Sequence, residues 1–158
     1  MKALVVACLL AGTVSSLPVV AADSPNPRNG ERSMLSRMNY PTLPEPAGPY
    51  SVSVRHNGTL YLSGITAFGT PAQGKDIATQ AEAIFSQIQR VTQAEGIGMR
   101  NLIKVTVFVT SMDDIGSLRA VLSKHYEGSY PASSLIKVAG LFSPDVNIEI
   151  EAVFAVPL

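Results

Sequence analysis

The chain has 158 residues, 46% of them hydrophobic, which is enough for one domain with a sizeable core. Twelve Lys and Arg balance twelve Asp and Glu, so there is no electrostatic footprint for nucleic acid. Cys8 is the single cysteine and there are two histidines, which excludes an intrachain disulfide and makes a zinc site or other metal centre unexpected.

Residues 1–22 read as a cleaved secretory signal. Lys2 gives the positive start, the run from Ala3 to Leu10 the apolar centre, and Val20-Ala21-Ala22 the small residues before Asp23. Gly12, Thr13, Ser15, Ser16 and Pro18 leave the apolar run too short for an anchor. The expected location is periplasmic or secreted, without membrane association after cleavage. A start at Met38 is the rival reading and gives a cytoplasmic form. Residues 23–45, rich in Pro, Ser, Arg and Asn, read as a flexible leader to a domain over residues 46–158.

The domain opens with the turn signal Gly48-Pro49. An alternating strand over Ser51 to Val54 follows, then Asn57-Gly58, then a second strand from Thr59 to Ile65. Asn-Gly between two alternating runs predicts a hairpin. Asp76 is placed to cap a helix reaching about Glu95, with Gly96 as its stop. Ile77, Ala81, Ile84, Ile88 and Val91 form its apolar stripe, while Gln80, Glu82, Gln87 and Arg90 are expected to face away. A third strand runs from Leu102 to Thr110, with Ile103, Val105, Val107 and Val109 on one side. A second helix starts at Ser111 or Asp113, buries Ile115, Leu118, Leu122 and Tyr126, and ends at Gly128.

Two further strands, from Pro131 to Leu141 and from Val146 to Phe154, are expected to be joined by a short turn. In the last strand, Ile148, Ile150, Ala152 and Phe154 share one face, and Glu149 and Glu151 share the other. The order is β-β-α-β-α-β-β: an α+β fold with two helices on one face of a mixed sheet. The opposite face, with Tyr61, Ser63, Ile65, Val153 and Ala155 beside the glutamates, is too apolar to stay solvated, so a partner chain is expected to cover it.

Four stretches carry a family resemblance over roughly residues 43–156. They are Pro46-Ala47-Gly48-Pro49-Tyr50-Ser51, Tyr61-Leu62-Ser63-Gly64, the run from Ile103 to Val109, and the run from Pro131-Ala132 to Ile148-Glu149-Ile150-Glu151-Ala152. In order and spacing they resemble the RidA/YjgF family, also called L-PSP endoribonuclease-like. The resemblance implies a chorismate-mutase-like fold, a homotrimer with clefts between subunits, and hydrolysis of reactive enamines and imines to a 2-oxo acid and ammonia with no cofactor. It also implies site residues: Tyr50 and Ser63 lining the cleft and Glu151 positioning water.

The family's substrate-clamping arginine is absent. The pattern Pro-Ala-Arg-Ser is Pro131-Ala132-Ser133-Ser134 in this chain, and Gly140 stands where a second arginine often follows. Serine cannot make the bidentate pair that a guanidinium makes with a carboxylate. Ser133 therefore implies a cleft with another ligand preference, for an imine, enamine or related compound other than the usual 2-imino acids. A non-catalytic trimer binding a small molecule is the alternative, and an endoribonuclease is disfavoured by charge and expected export.

Each residue also has a structural reading. Glu151 is either the water-positioning acid or a glutamate satisfied by neighbouring donors, and Glu149 is expected to be structural. Tyr50 either lines the cleft or packs over its turn, and Ser63 either lines it or accompanies the close approach at Gly64. His56 and His125 are expected to be solvated and structural respectively, and Lys137 to point outward.

Overall fold

The computed structural model describes residues 35–158; the expected signal and most of the leader lie outside them. Its elements are β1 (Ser36–Met38), β2 (Ser53–His56), β3 (Thr59–Thr66), α1 (Ile77–Ala94), a 3₁₀ turn (Met99–Asn101), β4 (Leu102–Val109), α2 (Ile115–Tyr126), β5 (Ala132–Lys137) and β6 (Ile148–Ala155). The six strands form one mixed sheet in the order β1-β2-β3-β6-β4-β5. The β4–β5 pair is parallel and every other pair is antiparallel.

The local chemistry explains the elements. Asn57 and Gly58 take φ values of 48° and 70°, the two positive angles that a type I′ hairpin turn requires between β2 and β3. At the start of α1, the Thr79 amide and hydroxyl donate to the two carboxylate oxygens of Asp76, at 2.9 and 2.7 Å. Such a cap is worth about 1 kcal/mol. Gly96, at φ 68°, turns the chain out of the helix. α1 packs on β3, β6 and α2, and the core gathers Ile84, Phe85, Ile88, Leu118, Ile150 and Phe154. Burial of each such side chain stabilises the fold by about 1.5–3 kcal/mol.

The structure differs from the sequence reading in five places. Residues 36–43, expected in a leader, supply β1 and two core side chains, Tyr40 and Leu43. The Tyr40 hydroxyl donates to Glu95 Oε1 at 2.8 Å and lies 2.7 Å from Ser53 Oγ, which secures the segment to the end of α1. The last two strands are not a hairpin, because β6 inserts between β3 and β4 while β5 lies on the far side of β4.

Two bulges change faces. Ser63 and Gly64 stand opposite the single residue Glu151, which sends Ile65 into the core rather than onto the open face. A register shift between Leu102 and Lys104 leaves Ile103 half exposed instead of in line with Val105. Finally, Gln80 and Gln87 are buried rather than outward, each because the backbone meets its amide. Gln80 donates to the Lys75 and Asp145 carbonyls and accepts from the Asn147 amide. Gln87 donates to the Thr66 carbonyl at 2.8 Å.

Candidate functional site

A cavity of about 340 Å³ opens at the end of the sheet, within the size range of ligand pockets. One wall is the segment from Leu43 to Ala47. The floor is the β3 bulge, with Ser63 and Gly64, and β6 contributes Glu149. Gln87 reaches it from α1, and Phe68 and Phe142 arrive on the loops after β3 and β5.

Tyr50 and Ser63 both line this cavity, and the β6 acid that lines it with them is Glu149, not Glu151. Both carboxylates are on one face of β6, as the alternation requires. They differ in position along it: Glu149 pairs across to Thr66 and Phe108, and Glu151 to Thr106. Glu151 lines a separate hollow of about 250 Å³ with Tyr61, Lys104 and Thr106.

Ser133 lines neither space. It is exposed on the edge strand β5, level with core residue Val105 and on the opposite face from Ser134, whose hydroxyl lies 3.0 Å from Lys104 Nζ. Lys137 is exposed at the end of the same strand. His125 is structural: it stacks on Phe85 with ring centroids 4.3 Å apart and meets Glu82 at 2.8 Å. His56 lies beside the hairpin turn, 2.9 Å from the Asn57 amide.

The electrostatics of the cavity centre on Glu149. Burial, and secondly the negative charge of Glu151, raise its pKa above the ordinary carboxylate value. Gly64 makes room for it, since a side chain there would overlap the Glu149 carboxyl. A carboxyl that holds its proton more tightly than usual is suited to pass one between a water molecule and a bound nitrogen.

Sequence reasoning gave Glu149 a structural role and did not place Gln87, Glu45, Phe68 or Phe142 at a cavity. For Glu149, the available signal was Gly64: a glycine inside a strand marks a bulge or a close approach. For the others there was none, since loop aromatics and helix glutamines have no pattern that points to a cavity.

Comparison with known proteins follows the same outline. The description of the endoribonuclease L-PSP family matches residues 41–156. A 2-iminobutanoate/2-iminopropanoate deaminase of Dermatophagoides farinae is 29% identical, over 75% of this chain and 94% of that protein. A RutC family protein of Synechocystis is 32% identical, over 72% of this chain and 91% of its own length. Among solved structures, a putative endoribonuclease from Thermotoga maritima superposes with a TM-score of 0.70 at 31% identity, covering 79% of this chain and 99% of that one. RidA from an Antarctic Psychrobacter gives 0.68 at 26% identity, covering 77% and 99%.

Proposed function

Since the chain belongs to the endoribonuclease L-PSP family, the RidA/YjgF group, we propose that it hydrolyses a small imine or enamine other than the usual 2-imino acids. The observation that carries this reading is the gathering of Tyr50, Ser63 and Glu149, whose pKa burial raises, around one cavity. In the proposed reaction water adds to the carbon of the C=N bond while the Glu149 carboxylate takes a proton from the water and gives it to the nitrogen. The carboxylate then carries the hydroxyl proton of the resulting carbinolamine to the same nitrogen. The C–N bond then breaks, giving a carbonyl compound and ammonia.

The altered preference rests on Ser133, which lines neither space within one chain and on this reading reaches the cleft from a neighbouring copy. Removing one member of a bidentate charge pair costs on the order of 2–5 kcal/mol, roughly thirtyfold to several thousandfold in affinity. A 2-imino acid is thus a poor substrate on this reading. The two carboxylates lining the cavity, Glu45 and Glu149, repel a phosphodiester, which argues against ribonuclease action.

The active form is proposed to be a homotrimer. The open face of the sheet presents Tyr61, Ile136 and Val153 with no helix of the described residues over it, and a second copy would cover this apolar surface.

The deciding experiment supplies the purified protein with imines generated in situ, both 2-imino acids and imines lacking a carboxylate, and measures ammonia. Faster release from the second group than without protein is expected. Ligand binding with no acceleration for either group would instead leave a non-catalytic binding protein, a reading that the arginine's replacement by Ser133 favours.

A further inference from the structure

The cavity is short of side-chain hydrogen-bond donors. Ser63 Oγ already donates to the Ser51 carbonyl at 2.8 Å. Gln87 Nε2 donates to the carbonyls of Thr66 and Ala83, at 2.8 and 3.4 Å. The hydroxyls of Tyr50 and Thr66 can accept as well as donate. What remains to meet a ligand is mostly acceptors: the carboxylates of Glu45 and Glu149, Oε1 of Gln87 and the lone pairs of Ser63. None of the described lining residues is Lys, Arg or His.

The same space is lined by rings. Tyr50, Phe68 and Phe142 are 51%, 45% and 64% exposed, and the two phenylalanines meet edge to face with centroids 5.1 Å apart. Grouped exposed rings mark a surface made for contact, and the face of an aromatic ring attracts a cation. A ligand carboxylate would meet two like charges in this cavity and no described countercharge. A ligand with N–H donors and a positive charge would find partners for both.

We propose that this cavity takes a cationic nitrogen, as a primary ammonium or a protonated imine, attached to an apolar or aromatic body that carries no carboxylate. The nitrogen is held by Glu149 and Glu45, and the body lies against Phe68 and Phe142. This deepens the reading of the cavity as a reactive cleft by naming the class of substrate.

Calorimetric titration of the full chain with benzylammonium chloride, and separately with sodium benzoate, tests it without calling on turnover. Benzylammonium is expected to bind and benzoate not to. Glu149→Gln and Glu45→Gln should each weaken benzylammonium by about tenfold, the equivalent of one modest charge contact. Phe142→Ala should weaken benzylammonium more than it weakens methylammonium. Benzoate binding as tightly as benzylammonium would overturn the proposal, as would benzylammonium binding unchanged in both Gln variants. Benzylammonium binding without hydrolysis of any imine supports it while removing the catalytic reading. Turnover of 2-imino acids with no benzylammonium binding overturns it together with the altered preference, and leaves imine hydrolysis itself standing.

Discussion

Gly64 and Glu149 share one small volume: a Cβ added to Gly64 would lie 2.6 Å from Glu149 Cδ and 2.9 Å from Cγ. The glycine is required by space alone, since it is not among the glycines with positive φ. Gly64→Ala must push the carboxyl aside. Forcing a methyl into such a site costs about 1–3 kcal/mol. The expected variant is folded, less stable in urea by that amount, and at least about tenfold slower in ammonia release. An alanine variant of unchanged activity would show that the position of Glu149 does not matter.

The raised pKa of Glu149 predicts how stability depends on pH. A carboxyl whose folded pKa exceeds its unfolded value stabilises the fold at low pH, and that contribution is lost as pH rises through the folded value. The melting temperature of Glu149→Gln should therefore gain on that of the natural protein as pH climbs from the ordinary 4.5 towards neutrality. Glu151→Gln removes a like charge, so it should shift this crossover to lower pH. A pH-independent difference in melting temperature between Glu149→Gln and the natural protein would contradict the assignment.

Tyr126 offers a test away from the cavity. Its hydroxyl is buried with no hydrogen-bond partner among the described residues, and burial pushes its pKa up to about 12. Removing an unsatisfied buried hydroxyl relieves a desolvation cost of about 1 kcal/mol. Tyr126→Phe is expected to equal or exceed the natural protein's stability by that amount in urea titration. A loss of more than about 1 kcal/mol would mean that the hydroxyl makes a bond after all.

The proposed assembly is checked by light scattering at micromolar concentration, which should give about three times the protomer mass. Tyr61→Glu places a second carboxylate beside Glu151 in the hollow on the open face, and should lower that mass. A monodisperse monomer of the natural protein would refute the assembly.

Much of the architecture was legible because its signals are local. The Asn57-Gly58 turn, the Asp76 cap and the alternation from Ile148 to Phe154 are each set within a few residues. The insertion of β6 between β3 and β4 was not, because pairing over that distance leaves no mark on either strand. Ile65 and Ile103 were misplaced for a related reason: strict alternation carries a strand's faces forward, and a bulge resets them. The site was half legible. Tyr50 and Ser63 sit in short motifs, but the choice between Glu149 and Glu151 depends on which part of β3 lies alongside, and that is a matter of register.

The fastening of Tyr40 makes the position of the first residue a matter of chemistry as well as of address. Asn39 Oδ1 receives the Val52 amide, the Thr42 carbonyl receives Arg90, and Tyr40 reaches Glu95, so three successive ties hold the stretch that runs on into the cavity wall. A polypeptide trimmed before Asp23 keeps all of β1 in front of those ties. One initiated at Met38 would place a charged amino terminus at the last residue of that strand and lose Ser36 and Arg37 from the edge of the sheet. The two forms would share every residue of the cleft and differ in how firmly its doorpost stands.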